Sequence, residues 1–246
     1  MGFEVECGPA ARRRGARYNP LSHRDEFLSP LNRHPMFFSF DGIDGVGKST
    51  QMRLFVEWLT ARGQAPVTCR DPGSTPLGEQ IRSILLAHND ATPIGARSEM
   101  LLYMAARAQL VDEVIRPAFD AGKVVVSDRY LLANIVYQAH AGGLDVETVR
   151  QVGVAATDGV IPDCTFLLDM DPATALKRMA RELDRVESRG DVYRQQLRAG
   201  FLIEARKMGG IVHIINAARE VETIQLEIQQ IAENLLDALR ARPLPG

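Results

Sequence analysis

The 246 residues contain no run approaching 18 consecutive apolar positions, and no charged-then-apolar leader opens the chain. This argues against a membrane-spanning helix or a secretory signal and leads to the expectation of a soluble, cytoplasmic protein without a membrane partner. Cysteine is scarce: Cys7, Cys69 and Cys164 are odd in number, far apart and without metal-ligand spacing. Cys69 and Cys164 fall in apolar, strand-like runs, where cysteine packs as a small hydrophobe in a reducing compartment. A dominant charge is missing too. With 29 basic and 31 acidic residues the net charge is -2, so there is no overall basic field and nucleic acid is not expected as a partner. Internal repeats and low-complexity linkers are absent, and a content of 46 % apolar and 24 % charged residues describes an ordinary globular chain large enough for one well-buried core.

Residues 1–35 stand apart from the rest. Arg12, Arg13, Arg14, Arg17, Arg24 and Arg33 lie among prolines and glycines with little apolar periodicity, which predicts a disordered basic tail; a true start of translation at Met36 is the other plain reading. Glu4, Glu6, Asp25 and Glu26 weigh against both a nucleic-acid arm and a transit peptide.

From Met36 onward, short β-branched or aromatic runs alternate with helical patterns, the signature of a parallel sheet covered on both faces. The expectation is a single α/β domain over residues 36–246 with five strands, at 36–41, 66–70, 123–128, 164–169 and 211–215. Helical periodicity is clearest at 48–62, 77–88, 97–120, 145–157, 172–182, 192–208 and 220–241, with Gly63, Gly122 and Gly209 as stops.

The most informative stretch joins the first strand to the first helix. Gly42, Gly47, Lys48 and Ser49 fit the spacing G-x-x-x-x-G-K-[ST], in which glycines let backbone N–H groups converge on phosphate oxygens, the lysine reaches the β and γ phosphates, and the hydroxyl holds Mg²⁺. A nucleotide-phosphate cradle of Gly42, Ile43, Asp44, Gly45, Val46, Gly47, Lys48, Ser49 and Thr50 is therefore predicted, which the resemblance given below makes the ATP site. In an open parallel sheet ligands bind outside the carboxyl ends of the strands, and those ends are polar here. Asp44 could orient Mg²⁺ or a phosphate acceptor, or be satisfied by loop N–H groups. Arg70 opens the turn RDPGST, residues 70–75, and suits bidentate phosphate recognition. Asp128 and Arg129 end the third strand, a carboxylate for the metal followed by a guanidinium for phosphate, with a strand-end ion pair of Asp128 as the plainer alternative.

These motifs, together with YMAARAQLV (103–111), DRY (128–130) with Asn134, Tyr137 and Gln138, Pro162-Asp163 before a strand, and DRVE (184–187), run in an order and spacing that resembles the thymidylate kinases, nucleoside monophosphate kinases of P-loop fold. The resemblance covers about Met36 to Arg240. It implies a five-stranded P-loop NTPase domain with a short mobile lid near residues 178–190, a homodimer, and MgATP-dependent phosphorylation of dTMP to dTDP on the route to dTTP. It also implies roles: Tyr103 stacks on thymine, Arg107 one turn later reads the base edge, and Arg70 and Arg129 hold the acceptor 5′-phosphate. Asn134, Tyr137 and Gln138 surround the base and deoxyribose, with Tyr137 crowding the 2′ position. Ser49 and Asp128 organise Mg²⁺, and Asp44 aligns the acceptor with Lys48, Arg129 and Arg185 as the catalytic cations. Some relatives place an arginine within the P-loop and others in the lid. Gly45 stands at the loop position here, so the resemblance assigns the cation to the lid, at Arg185 with Arg181 and Arg178 behind it.

The chain departs from the family pattern at Asp41, where glutamate is more usual, at Ser74 in place of a second glycine, and at Tyr103 in place of phenylalanine. A guanine-reading Asn-Lys-x-Asp segment is absent, which argues against a GTPase switch. Retention of Lys48, Arg129 and the lid arginines argues against an idle nucleotide-binding scaffold. A sister kinase acting on another nucleotide or on deoxynucleosides is the runner-up.

Overall fold

Five short strands, β1 (Phe37–Asp41), β2 (Val67–Arg70), β3 (Val125–Asp128), β4 (Cys164–Asp169) and β5 (Val212–Asn216), carry most of the apolar runs read from the sequence. In the computed structural model, which describes residues 35–87, 93–179 and 184–240, they form one parallel sheet in the order β2-β3-β1-β4-β5. All but one residue of the expected tail, and Arg181, lie outside the described residues. The order places β1 at the centre: the chain leaves it toward β2 and β3 on one side and then crosses to β4 and β5 on the other. That reversal opens a crevice beyond the carboxyl end of β1, where ligands of such sheets bind.

Strand β1 is buried throughout, as a central strand covered on both faces must be. Phe38 and Phe40 point to one face, against Phe55 of helix α1 (Lys48–Ala61) and Phe166 of β4, with Phe38 and Phe166 stacked at 5.9 Å. Phe37 points to the other and meets the Tyr130 ring edge-on at 5.0 Å. The buried hydroxyls of Ser39 and Thr165 satisfy one another at 2.7 Å, so the polar pair inside the sheet costs little.

The helices follow in chain order as α2 (Pro76–Leu86), capped by Thr75, α3 (Ala96–Leu110), α4 (Arg116–Asp120), α5 (Leu131–Asn134), α6 (Val146–Thr157), α7 (Pro172–Lys177), α8 (Asp191–Lys207) and α9 (Val221–Arg240). Helix α3 runs into α4 through a π-helical turn, Val111–Ile115, so the two together fill the stretch read as one helix. Two expectations need correction, and one helix lies outside the clearest periodicity: α5 continues as a π-helix over Ile135–His140. Its residues from Leu131 to Ala139 are all buried, and a helix buried all round has no amphipathic stripe to read. Helix α7 stops at Lys177 instead of extending to residue 182, closing with tight bonds from Arg178 N to Ala175 O and from Met179 N to Leu176 O where the apolar stripe gives way to charge. Beyond α8 it is Gly210, not Gly209, that takes the left-handed backbone conformation, with φ 85°.

Candidate active site

The loop between β1 and α1 can follow its path only with glycine. Gly42, Gly45 and Gly47 have φ of 135°, 84° and 96°, values L-residues avoid. A Cβ would stand 2.4 Å from Leu168 O at Gly42 and 2.2 Å from Ala175 O at Gly45, so the loop lies flush against β4 and α7. Gly47 caps α1, whose first turn presents exposed Ser49 and Thr50 at the positive end of the helix dipole. Lys48 curls back over the loop: its Nζ donates to Ile43 O at 2.9 Å, Gly42 O at 3.2 Å and Asp44 Oδ1 at 3.4 Å. Burial lowers its pKa, and the neighbouring Arg129 acts in the same direction against Asp44.

Asp44 joins the loop to the end of β3. Its Oδ1 accepts from Arg129 at 2.5 Å and its Oδ2 from the Tyr137 hydroxyl at 3.2 Å. Burial acts to raise this carboxyl, but Arg129 and Lys48 outweigh it and hold it well below the usual carboxylate range. Arg129 reaches that place through a left-handed backbone, φ 67°, which costs a non-glycine residue about 1 kcal/mol or more. Its N–H still donates to Phe40 O at 2.9 Å, while the guanidinium turns over the crevice to Gly42 O at 2.9 Å and lies 5.1 Å from the Tyr137 ring centre.

Beside this hub a cleft opens to solvent, lined by Asp44, Asp71, Arg82, Tyr103, Arg107, Arg129, Asn134, Tyr137, Gln138 and Val186 among others. Arg107, only 1 % exposed, holds Asp71 Oδ2 at 2.6 Å and donates to Asn134 Oδ1; a buried guanidinium needs such partners. Tyr103 packs one side of its ring on Ile81, Leu85 and Ala106 and keeps another toward the cleft. The structure therefore brings Asp44, Arg129, Tyr103, Arg107, Asn134, Tyr137 and Gln138 around one space that abuts the glycine loop.

Two of the expected residues are held elsewhere. Arg70 is half exposed and donates to Glu79 Oε2 at 2.7 Å at the start of α2. Arg185 donates to Leu85 O at 2.8 Å and Glu99 Oε2 at 2.5 Å, away from Lys48. Arg178 bonds Ala217 O at 3.3 Å. The sequence reading missed other cations with better access. Arg82 lines the cleft and donates to Pro72 O at 3.1 Å, and Arg194 lines an adjoining cavity with Ile43, Asp44 and Tyr137. It also missed Glu99, which stands four residues before Tyr103 and eight before Arg107 on one helix face, a spacing that could have marked it.

The residues expected to hold Mg²⁺ fit such an ion chemically. Ser49 and Asp128 offer hard oxygen donors, and Asp128 Oδ1 together with both carboxylate oxygens of Asp41 is buried without a protein partner. Among the described residues no cluster of three or more metal-ligating side chains occurs.

The family model described as thymidylate kinase matches residues 40–228. A thymidylate kinase of Symbiobacterium thermophilum is 42 % identical over 204 residues, 82 % of this chain and 94 % of its own. One of Thermosipho melanesiensis is 38 % identical over 203 residues, covering 82 % and 100 %. The crystal structure of thymidylate kinase from Ehrlichia chaffeensis superimposes with a TM-score of 0.65 at 28 % identity, over 82 % of this chain and 100 % of that one. A P-loop sheet whose strand ends gather these side chains, and a match that runs from β1 into α9, have one meaning: the chain belongs to the thymidylate kinase family.

Proposed function

We infer that the protein transfers the γ-phosphoryl group of ATP to dTMP, giving ADP and dTDP, and so serves dTTP synthesis. The observation that carries the reading is Asp44, shared by Lys48 of the phosphate loop and by Arg129 and Tyr137 of the adjoining cleft. Through it the donor's cradle and the acceptor's pocket have a common wall. An oxygen of the acceptor phosphate attacks the γ-phosphorus and the bond to the β-phosphate oxygen breaks. The acceptor is already anionic, so positioning and charge stabilisation matter more than a strong base. Loop N–H groups and Lys48 receive the donor phosphates; Lys48 must then exchange the carbonyls of Gly42 and Ile43 for phosphate oxygens. Arg129 and Arg70 hold the acceptor phosphate, which for Arg70 means leaving Glu79. Tyr103 stacks on the base, Arg107, Asn134 and Gln138 read its edge, and Tyr137 limits space at the 2′ position. Arg185 is assigned to the charge on the moving phosphoryl group, a role that requires exchanging Glu99 for phosphate. Bound Mg²⁺, held by Ser49 and Asp128, would offset charge on the donor phosphates.

Family membership supports association as a homodimer. The absence among the described residues of any helix long and apolar enough to cross a membrane, and the buried free thiols of Cys69 and Cys164, accord with a cytoplasmic enzyme. The test is a coupled ADP-release assay with MgATP across dTMP, dUMP, dCMP, dGMP and thymidine. The highest kcat/KM is expected for dTMP; a higher value for thymidine or for a purine nucleotide would overturn the assignment.

A further inference from the structure

Glu99 lies outside the cleft lining and is 2 % exposed. Its Oε2 accepts from Arg185 at 2.5 Å and Arg189 at 2.6 Å, and its Oε1 accepts from Gln138 Nε2 at 3.1 Å. Arg189 is itself fixed by the Tyr193 hydroxyl at 3.0 Å. Burial acts to raise the Glu99 carboxyl, yet Arg185, Arg189 and Gln138 together hold it below the ordinary glutamate value, so it is ionised at neutral pH. From Gln138 the chain of bonds continues inward: Gln138 Oε1 accepts from Asn134 Nδ2 at 2.7 Å, and Asn134 Oδ1 accepts from Arg107.

A carboxamide can enter such a chain either way round, because it carries an acceptor at one corner and a donor at the other. A carboxylate only accepts and a guanidinium only donates. With Glu99 at one end and Arg107 at the other, both amides are forced head-to-tail, oxygens toward Arg107 and nitrogens toward Glu99. Each amide nitrogen keeps a second hydrogen, and Asn134, Gln138 and Arg107 all line the cleft. Their spare N–H donors match a 4-oxo pyrimidine, whose O4 accepts, and mismatch a 4-amino pyrimidine, whose N4 donates. A site built to pair one pattern leaves buried polar groups unpaired with the other, which is the strongest route to discrimination.

We propose that Glu99 is a specificity-determining positioning residue: by fixing the orientation of Gln138 and Asn134 it makes the pocket select a 4-oxo over a 4-amino pyrimidine, with Arg189 holding it in place. This rests on the reading of the cleft as the dTMP site. Two cations alone would account for a carboxylate here as an anchor; the bond to Gln138 is what extends its influence to the base.

The test uses Glu99→Gln, which keeps size and shape but can donate, and Glu99→Asp, which stays acceptor-only. Dissociation constants for dTMP and dCMP by calorimetry are measured beside kcat and KM for both. Glu99→Gln is expected to lower the preference for dTMP over dCMP at least tenfold, through binding and KM, with kcat for dTMP within a few-fold of wild type; Glu99→Asp is expected to retain the preference. An unchanged ratio in Glu99→Gln, whatever happens to its Tm, overturns the proposal and leaves Glu99 a packing anchor. Should that variant fail to fold, Glu99→Ala, which also leaves the Gln138 amide without its acceptor-only partner, takes its place: the preference is expected to fall likewise, and an unchanged ratio would contradict the proposal. Wild-type protein that neither prefers dTMP in binding nor phosphorylates it contradicts the underlying reading instead.

Discussion

Asp41 and Lys48 show how burial at the end of β1 creates the chemistry of the site. Burial pushes the Asp41 carboxyl up to about 7, although Arg129 and Lys48 oppose it, and neither oxygen has a protein partner. An unfolded chain releases this proton near pH 3.8 and the native one only near 7. Between those values the native state binds more protons, so the group's contribution to stability falls as pH rises and then levels off. Asp41→Asn should remove that slope. Relative to wild type it is expected to gain stability above about pH 7, on the order of a few kcal/mol at most, and nothing near pH 4. Urea midpoints from about pH 4 to 8 check this, and parallel curves for the two proteins would refute it. Lys48 carries the opposite duty. Lys48→Ala is expected to fold normally and lose about 10²- to 10³-fold in kcat, because the lost cation faces transition-state charge in a desolvated place. Both residues were legible in the sequence as strand-end and loop positions, since spacing alone sets them there. Arg82 was not, because a cleft-lining cation on a helix looks in sequence like any solvated charge, and Glu99 left only its helical spacing to Tyr103 and Arg107 as a trace.

At the scale of the elements, the helix that carries Asn134, Tyr137 and Gln138 is pinned by a buried clasp. Glu204 of α8 accepts from His140 at 2.9 Å, Arg150 at 2.7 Å and Lys207 at 2.8 Å. Burial acts to raise its carboxyl, but those three partners bring it down to about 2. For a depressed acid the stabilisation is present above the unfolded value of 4.5 and is lost as pH falls toward 2. Glu204→Gln should therefore lower Tm at pH 7 and narrow its gap to wild type as pH drops through that window; a constant gap would show that the clasp contributes by packing alone. The loop and α7 form a second such unit. A side chain at Gly45 would meet Ala175 O at 2.2 Å, so the loop has no room for an arginine there, which supports the proposed assignment of the catalytic cation to Arg185. Arg185→Ala is accordingly expected to reduce kcat by up to about 10³-fold with little change in dTMP dissociation, measured by pre-steady-state turnover and calorimetry. Except at the end of α7, strand and amphipathic-helix boundaries were readable to within two residues, whereas the π-helical turn at Ile135–His140 was not, since uniform burial erases the periodicity that reveals a helix.

For the whole molecule, sheet order is what converts scattered motifs into one site. Periodicity shows that strands and helices alternate, but only the order β2-β3-β1-β4-β5 brings Asp71, Asp128 and the glycine loop to neighbouring strand ends. Long-range pairing of that kind leaves no local trace in the sequence. The matched region begins at residue 40, so removal of residues 1–34 is expected to leave kcat and Tm unchanged, and a marked loss of either would assign that segment a structural or regulatory part. The central claim is that donor cradle and acceptor pocket act together on one phosphoryl group. It is tested most directly by following ³¹P NMR of MgATP and dTMP mixed with the protein. The account predicts that ADP and dTDP appear in equal amounts and that Lys48→Ala suppresses both; ADP released without dTDP, or dTDP formation undiminished in Lys48→Ala, would contradict it.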